Sequence, residues 1–180
     1  MMKLNAQRIL IYGVCGSGKS TFAKHLSDRT GIPWTAVDDL AFRPGWVNTS
    51  NDEQVAAITR ICAGDRWILD TAYAKWADVP LARVDLILGL DYPRWFSFAR
   101  LLRRTFQRVV DKQKICNGNV ETLRQTFSKN SILLWHFRSF TRKRRRMRAW
   151  RDAATAGGPK VILFPNARAA EQWLHDIERN

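Results

Sequence analysis

Short apolar runs of four or five residues recur along the chain, separated by longer stretches with helical spacing. Arg8-Ile9-Leu10-Ile11-Tyr12, Trp34-Thr35-Ala36-Val37, Arg66-Trp67-Ile68-Leu69, Leu86-Ile87-Leu88-Gly89-Leu90 and Val161-Ile162-Leu163-Phe164 read as five buried strands. The spacing of Ser20 to Leu26 predicts a helix closed by Thr30-Gly31. Ser50-Asn51-Asp52-Glu53 has capping-box spacing and predicts a second helix running to about Cys62. Ala167 to Ile177 predicts a closing helix. Buried strands alternating with helices point to an α/β fold, a five-stranded parallel sheet with helices on both faces.

From Pro93 to Trp150 the pattern carries no strand signal. Trp95, Phe98, Leu101-Leu102 and Phe106 form one expected apolar helix face. Cys116-Asn117-Gly118-Asn119 reads as a turn. Leu133, Phe137, Phe140, Met147 and Trp150 then recur at three-, four- and seven-residue spacing, which predicts a long helix packed on the core. The chain of 180 residues is expected to be one domain, 1–180, carrying 94–150 as a helical, arginine-rich insertion. Ala153 to Pro159 is the one linker-like stretch.

Between the first strand and the first helix stands Gly13-Val14-Cys15-Gly16-Ser17-Gly18-Lys19-Ser20-Thr21, which fits G-x-x-x-x-G-K-[ST]. Glycines permit the backbone torsions with which successive N–H groups surround an anion. Lys19 is placed to reach the outer phosphates of a nucleotide, and Ser20 to enter the shell of Mg²⁺. The helix that follows adds the positive end of its dipole. Gly13, Cys15, Gly16, Ser17, Gly18, Lys19, Ser20 and Thr21 are therefore the expected ATP-binding residues, in a three-layer P-loop NTPase fold.

In parallel sheets of this kind ligands sit at the carboxyl ends of the strands. Those ends carry the loop, Asp38-Asp39, Asp70, Asp91 and Pro165-Asn166. Asp38 and Asp70 each suit holding a metal-bound water or accepting a hydroxyl proton. Asp38 is read as nearer the phosphoryl acceptor, with Asp70 its neighbour. Asp91, two residues before Pro93, reads as turn chemistry. Tyr73 and Trp46 are candidates for the acceptor pocket.

Composition narrows the class. No apolar run approaches the ~18 residues of a membrane span, and no signal-peptide pattern opens the chain. Cys15, Cys62 and Cys116 lack paired spacing and read as free thiols in a reducing, cytoplasmic setting. His25, His136 and His175 are too scattered in sequence to suggest a transition-metal site. The net charge is +14, and Arg138 to Arg151 holds eight basic residues and no acidic one. The run Arg142-Lys143-Arg144-Arg145-Arg146 suits either a nucleic-acid footprint or a solvated helix face beside a polyanion site. The second reading is favoured, because the apolar stripe leaves much of the run facing water.

These residues resemble a group of small bacterial P-loop proteins labelled adenylate kinase-like or topology modulation protein (FlaR-related). The likeness runs through the loop, Val37-Asp38, Arg43-Pro44-Gly45-Trp46, Trp67-Ile68-Leu69-Asp70 and Leu90-Asp91-Tyr92-Pro93-Arg94-Trp95. It continues through Cys116-Asn117-Gly118-Asn119 and Leu134-Trp135-His136-Phe137-Arg138. The resemblance implies a nucleoside-monophosphate-kinase-like fold, Mg-ATP on the loop, and an arginine-bearing lid. Arg100, Arg103 and Arg104 then fall where related kinases begin the lid, with Arg100 on the nucleotide and Arg104 in catalysis. Arg138 and Arg142 are placed to approach the phosphates from the following helix.

Adenylate kinases proper carry D-G-F-P-R after the third strand, where this chain has Asp70-Thr71-Ala72-Tyr73-Ala74, and their T-G-D-x-x-R segment is missing. Asp38 is instead similar to the acid of shikimate- and gluconate-type kinases. The implied activity is transfer of the γ-phosphate of ATP to a nucleotide or other small hydroxylated acceptor; an ATP-binding modulator of DNA topology, or another nucleic-acid-binding NTPase, is the alternative.

Overall fold

The computed structural model describes residues 3–111, 114–115, 117–120, 131–154 and 158–178. Its centre is a five-stranded sheet in the order β2-β5-β1-β6-β9, every neighbour parallel. The strands are β1 (Arg8–Gly13), β2 (Trp34–Thr35), β5 (Trp67–Leu69), β6 (Leu86–Leu90) and β9 (Lys160–Phe164). At the amino edge Asp85 accepts the Arg8 N–H at 2.9 Å and the Arg8 guanidinium at 2.5 Å. Those bonds hold its carboxyl below the usual range, and they pin β6 in register beside β1.

Alternation along the strands builds two cores. Ile9, Ile11, Ile68, Leu86, Leu88 and Leu90 face α1 (Lys19–Thr30) and α7 (Ala167–Asp176), meeting Phe22, Leu26 and Leu174. Leu10, Tyr12, Trp67, Leu69 and Ile87 face the opposite way. They meet Ile58 of α3 (Asn51–Ala63) and Met147 of α6 (Ile132–Ala153). Helix ends follow the sequence signals: Gly31 closes α1 at φ 65°, and Ser50 and Glu53 form the reciprocal capping box of α3. Asn166 accepts the Ala169 N–H at 2.9 Å and starts α7.

Several expectations need correction. The second strand stops at Thr35, and Val37–Ala41 is a short helix, α2, so Asp38 and Asp39 lie on helix rather than at a strand end. The Val37 N–H leaves the ladder because it donates to Asp70 Oδ1 at 3.0 Å. Arg43-Pro44-Gly45-Trp46 belongs to a hairpin of β3 (Phe42–Arg43) and β4 (Val47–Asn48) around a single 3₁₀ turn. Beyond a four-residue helix, α4 (Asp78–Leu81), the expected all-helical insertion is also interrupted. After α5 (Arg94–Val110), β7 (Lys114–Ile115) pairs with β8 (Asn119–Val120) across a turn where Asn117 and Gly118 both take positive φ. Cys116, with parts of the 94–150 insertion and of the linker stretch, lies outside the described residues.

The expected apolar face of α5 is divided. Leu101 is fully buried, whereas Trp95, Leu102 and Phe106 are exposed, because Ser97, Leu101 and Thr105 are the residues turned inward. The long-helix stripe does pack inward at Phe140 and Met147. No helix among the described residues is long and apolar enough to cross a membrane.

Gly89 is the contact point between β6 and α6. A Cβ there would collide with the Leu163 side chain and stand 3.2 Å from Met147 Sδ. Gly89→Ala should therefore lower unfolding free energy by roughly 1–3 kcal/mol through overpacking. A urea titration checks this, and an unchanged midpoint contradicts the packing.

Candidate active site

The loop after β1 is shaped by local bonds. Ser17 Oγ donates to the Val14 carbonyl at 2.8 Å, and the Ser17 N–H reaches the same oxygen at 3.3 Å. Gly16 and Gly18 sit at φ 81° and 91°, a region that side chains disfavour. Gly16 also has no room for one: a Cβ would strike the Ser97 carbonyl and lie 2.7 Å from Leu101 Cβ. Backbone therefore packs against α5, whose inner face carries small Ser97 and Thr105 beside Leu101. Behind it Ser97 Oγ lies 2.9 Å from Nε2 of the fully buried His136, tying α5 to α6. Burial, with Arg94 adding to it, lowers the His136 pKa.

Gly18 gives α1 no side-chain cap, so its first-turn N–H groups remain suited to an anion. Lys19 Nζ donates to the Val14 carbonyl at 2.9 Å. Desolvation lowers its pKa, the nearby Lys143 lowers it further, and Cys15, Asp38 and Asp70 oppose the shift. Among the described residues no carboxylate pairs directly with this ammonium. Cys15 is half-buried within the loop and Thr21 is exposed.

Asp70, buried at the end of β5, accepts Ser20 Oγ–H at 2.6 Å and the Val37 N–H at 3.0 Å. Burial raises its pKa, a shift that the Ser20 and Val37 bonds and Lys19 oppose. A bound divalent cation would reverse that balance. The loop hydroxyl and strand-end acid thus fit a Mg²⁺ shell, and the glycine cradle with Lys19 fits a polyphosphate. Asp38 stands apart from this pair. The Tyr73 hydroxyl donates to Asp38 Oδ1 at 2.5 Å, and burial followed by Asp38 raises the phenol pKa. Asp39 beside it is also raised, by partial burial and by Asp38.

Helix α5 borders the loop, and the β7–β8 turn borders the Asp38 segment. The Arg100 guanidinium lies over Gly18, where Nη2 would be 3.1 Å from a Cβ, and also stacks 5.6 Å from the Phe96 ring. Arg103 is exposed and Arg104 half-buried on the same helix. Two asparagines of the β7–β8 turn join the insertion to the Asp38 segment. Asn117 Nδ2 donates to the carbonyls of Asp39 and Phe42 at 2.7 and 2.8 Å. Asn119 accepts the Trp46 N–H at 2.8 Å and donates to the Arg43 carbonyl at 3.0 Å. Trp46 is held at φ 59° there, an uncommon conformation for its type.

The basic run divides differently from expectation. Asp91 is no simple turn residue: Arg144 Nε reaches its Oδ1 at 2.6 Å and Arg148 Nη2 its Oδ2 at 2.8 Å. Arg142 stacks 5.6 Å from the exposed Trp135 ring rather than on the loop. Arg138, Thr141, Arg142, Arg145, Arg146 and Ala149 line an open groove. The residue of this helix that does reach the loop is Lys143, whose Nζ lies 3.4 Å from the Gly13 carbonyl. The missed signal was a lysine three residues after buried Phe140 and four before buried Met147, on the core face of the helix.

Comparison with known proteins bears on the fold. A family model described as AAA domain matches residues 9–84. No curated protein sequence matches the chain. A gluconokinase from Sinorhizobium meliloti 1021 aligns at TM-score 0.53 and 16% identity, over 94% of this chain and 91% of that one. A shikimate kinase from Acinetobacter baumannii, solved with shikimate, aligns at 0.55 and 14%, over 95% and 90%.

The raised Asp70 pKa gives a prediction with a defined sign. A carboxyl whose native pKa exceeds its unfolded value of 3.8 favours folding at low pH, and that contribution is lost as pH rises through the native value. Asp70→Asn should then melt at or above the wild-type temperature at pH 7, with the gap narrowing toward pH 4. A melt series across that range checks it, and a mutant less stable at pH 7 than at pH 4, relative to wild type, contradicts it. The five-stranded parallel sheet and its flanking helices are the α/β fold of P-loop kinases.

Proposed function

We propose that this chain is a kinase that transfers the γ-phosphoryl group of Mg-ATP to a hydroxyl of a nucleotide or other small acceptor. The observation that carries this reading is the 2.6 Å bond between Ser20 and Asp70, beside a loop lysine that lies within the field of a second acid, Asp38. The solved structures similar in fold are named as small-molecule kinases, which supports it. Residues 1–180 act as one domain, with 94–150 as the segment that closes over the site.

Phosphoryl transfer needs alignment and charge neutralisation more than covalent chemistry by the protein. Loop N–H groups and Lys19 bind the polyphosphate and hold its outer end. Bound Mg²⁺ would neutralise the outer phosphate oxygens, with Ser20 and Asp70 as its holders, Asp70 through water. Arg100 flanks the nucleotide from α5, and Arg104 stands on the same helix, one turn on, for the transferring group. Asp38 accepts the proton of the acceptor hydroxyl, with Tyr73 fixing one of its oxygens and leaving the other for the acceptor. Trp46 and the asparagine-bound hairpin border that side.

Lys19→Ala should lose most of the thermal stabilisation that Mg-ATP gives the wild type, since a ligand of the folded state raises its melting temperature. Asp38→Asn should keep ATP affinity while acceptor-dependent ADP formation falls on the order of 10²–10⁴-fold. A coupled ADP assay over nucleotides, nucleosides and hydroxy acids measures the second, and calorimetry the first. Unchanged turnover in Asp38→Asn contradicts the acceptor role, and turnover driven by nucleic acid without any small acceptor contradicts the kinase reading.

A further inference from the structure

Helix α6 places a cation where its own packing pattern calls for an apolar side chain. Phe140 and Met147 are 5% and 1% exposed, and Lys143 lies between them at three- and four-residue spacing on the same face. A leucine there would fill the space without desolvating a charge. The lysine stem runs inward instead, and its ammonium lies 5.5 Å from the Tyr12 ring centroid and 3.4 Å from the Gly13 carbonyl.

Lys19 and Lys143 thus donate to adjacent carbonyls of one loop, Val14 and Gly13. They are near enough that Lys143 is the second largest influence depressing the Lys19 pKa. Among the described residues neither ammonium has a carboxylate in direct contact. Helix α6 cannot easily relax away from this contact. Arg144, the next residue, and Arg148, about one turn on, are both bonded to Asp91 at the end of β6, 2.6 to 3.0 Å away. The clamp sets the helix position, and the helix position delivers Lys143.

We propose that Lys143 is a second phosphate-binding cation of the loop, and that it reads the terminal phosphate of a nucleoside triphosphate. This rests on the nucleotide-binding reading above. In this motif the loop lysine reaches the β- and γ-phosphates. A second ammonium beside it, on the side of the loop's first residue, therefore meets the outer end of the chain of phosphates. Its effect is selectivity: it favours triphosphate over diphosphate, so product leaves more readily than substrate.

The test compares binding of Mg-ADP and of a non-hydrolysable Mg-ATP analogue by titration calorimetry. Lys143→Gln keeps the stem and a polar end, and Lys143→Met serves as a second variant. A hydrogen bond to a charged group supports an expected loss of about tenfold to hundredfold for the ATP analogue, against threefold or less for ADP. Equal losses for the two ligands, or no loss for either, would falsify the proposal. Failure of both variants to fold overturns it too, because the ammonium would then serve the fold alone. Lys19→Ala separates this inference from the reading beneath it. If that variant abolishes binding while the Lys143 variants keep the wild-type ratio, only the role of Lys143 falls. If the wild type binds neither nucleotide, both fall together.

Discussion

The site depends on one arrangement above all: β1 lies between β5 and β6, hydrogen-bonded in parallel to each. Leu10 pairs with Leu69 and Gly13 with Leu90, so three chain segments leave the sheet at the same edge. They are the glycine loop, Asp70 and Asp91. The first adjacency brings Ser20 against Asp70. The second gives Arg144 and Arg148 an anchor, which places α6 and sends Lys143 toward the loop. A slip in either pairing would separate the hydroxyl from its acid or the second ammonium from the loop.

Much of this was legible in the sequence because the signals are local. Ile, Leu and Val runs bounded by breakers located the sheet strands to within one or two residues. The loop's glycines declared the torsions later seen at Gly16 and Gly18, and Ser50 with Glu53 declared the start of α3. The carboxyl-edge acids were also readable, since a parallel sheet leaves its strand ends together. Where the strand signal misled, at Val37, a bond to a residue 33 positions away had taken its N–H.

What stayed hidden is long-range. Asn117 and Asn119 bond to backbone 73 to 78 residues earlier, and no spacing rule reports such a partner. Periodicity also shows which residues share a helix face but not which face turns inward. On α5 the bulky Trp95, Leu102 and Phe106 lie outside because Gly16 needs backbone contact, and only small side chains around Leu101 allow it. Close approach to the phosphate loop outranks apolar area there. The basic run misled for the opposite reason. Its composition suggested a largely solvated face, yet Arg144 and Arg148 hold Asp91, and Lys143 reaches the loop.

Cations thus reach the loop from three elements: Lys19 from α1, Arg100 from α5 and Lys143 from α6. Each is held in place by groups that do not neutralise it, namely backbone carbonyls or an aromatic ring. Burial of the Lys19 ammonium, with repulsion from Lys143 added to it, costs stability, as the lowered Lys19 pKa records. The opposing acids carry a matching cost, since burial raises Asp70 although two donors bind it. A fold selected for stability alone would let the lysines meet the acids. Here, among the described residues, the two sets stay separate, and Asp70 takes the Ser20 hydroxyl instead of an ammonium. Under the proposed kinase function, that separation is the space a polyanion and its counter-ion would fill together, which accounts for buried charges being held apart at the carboxyl end of the sheet.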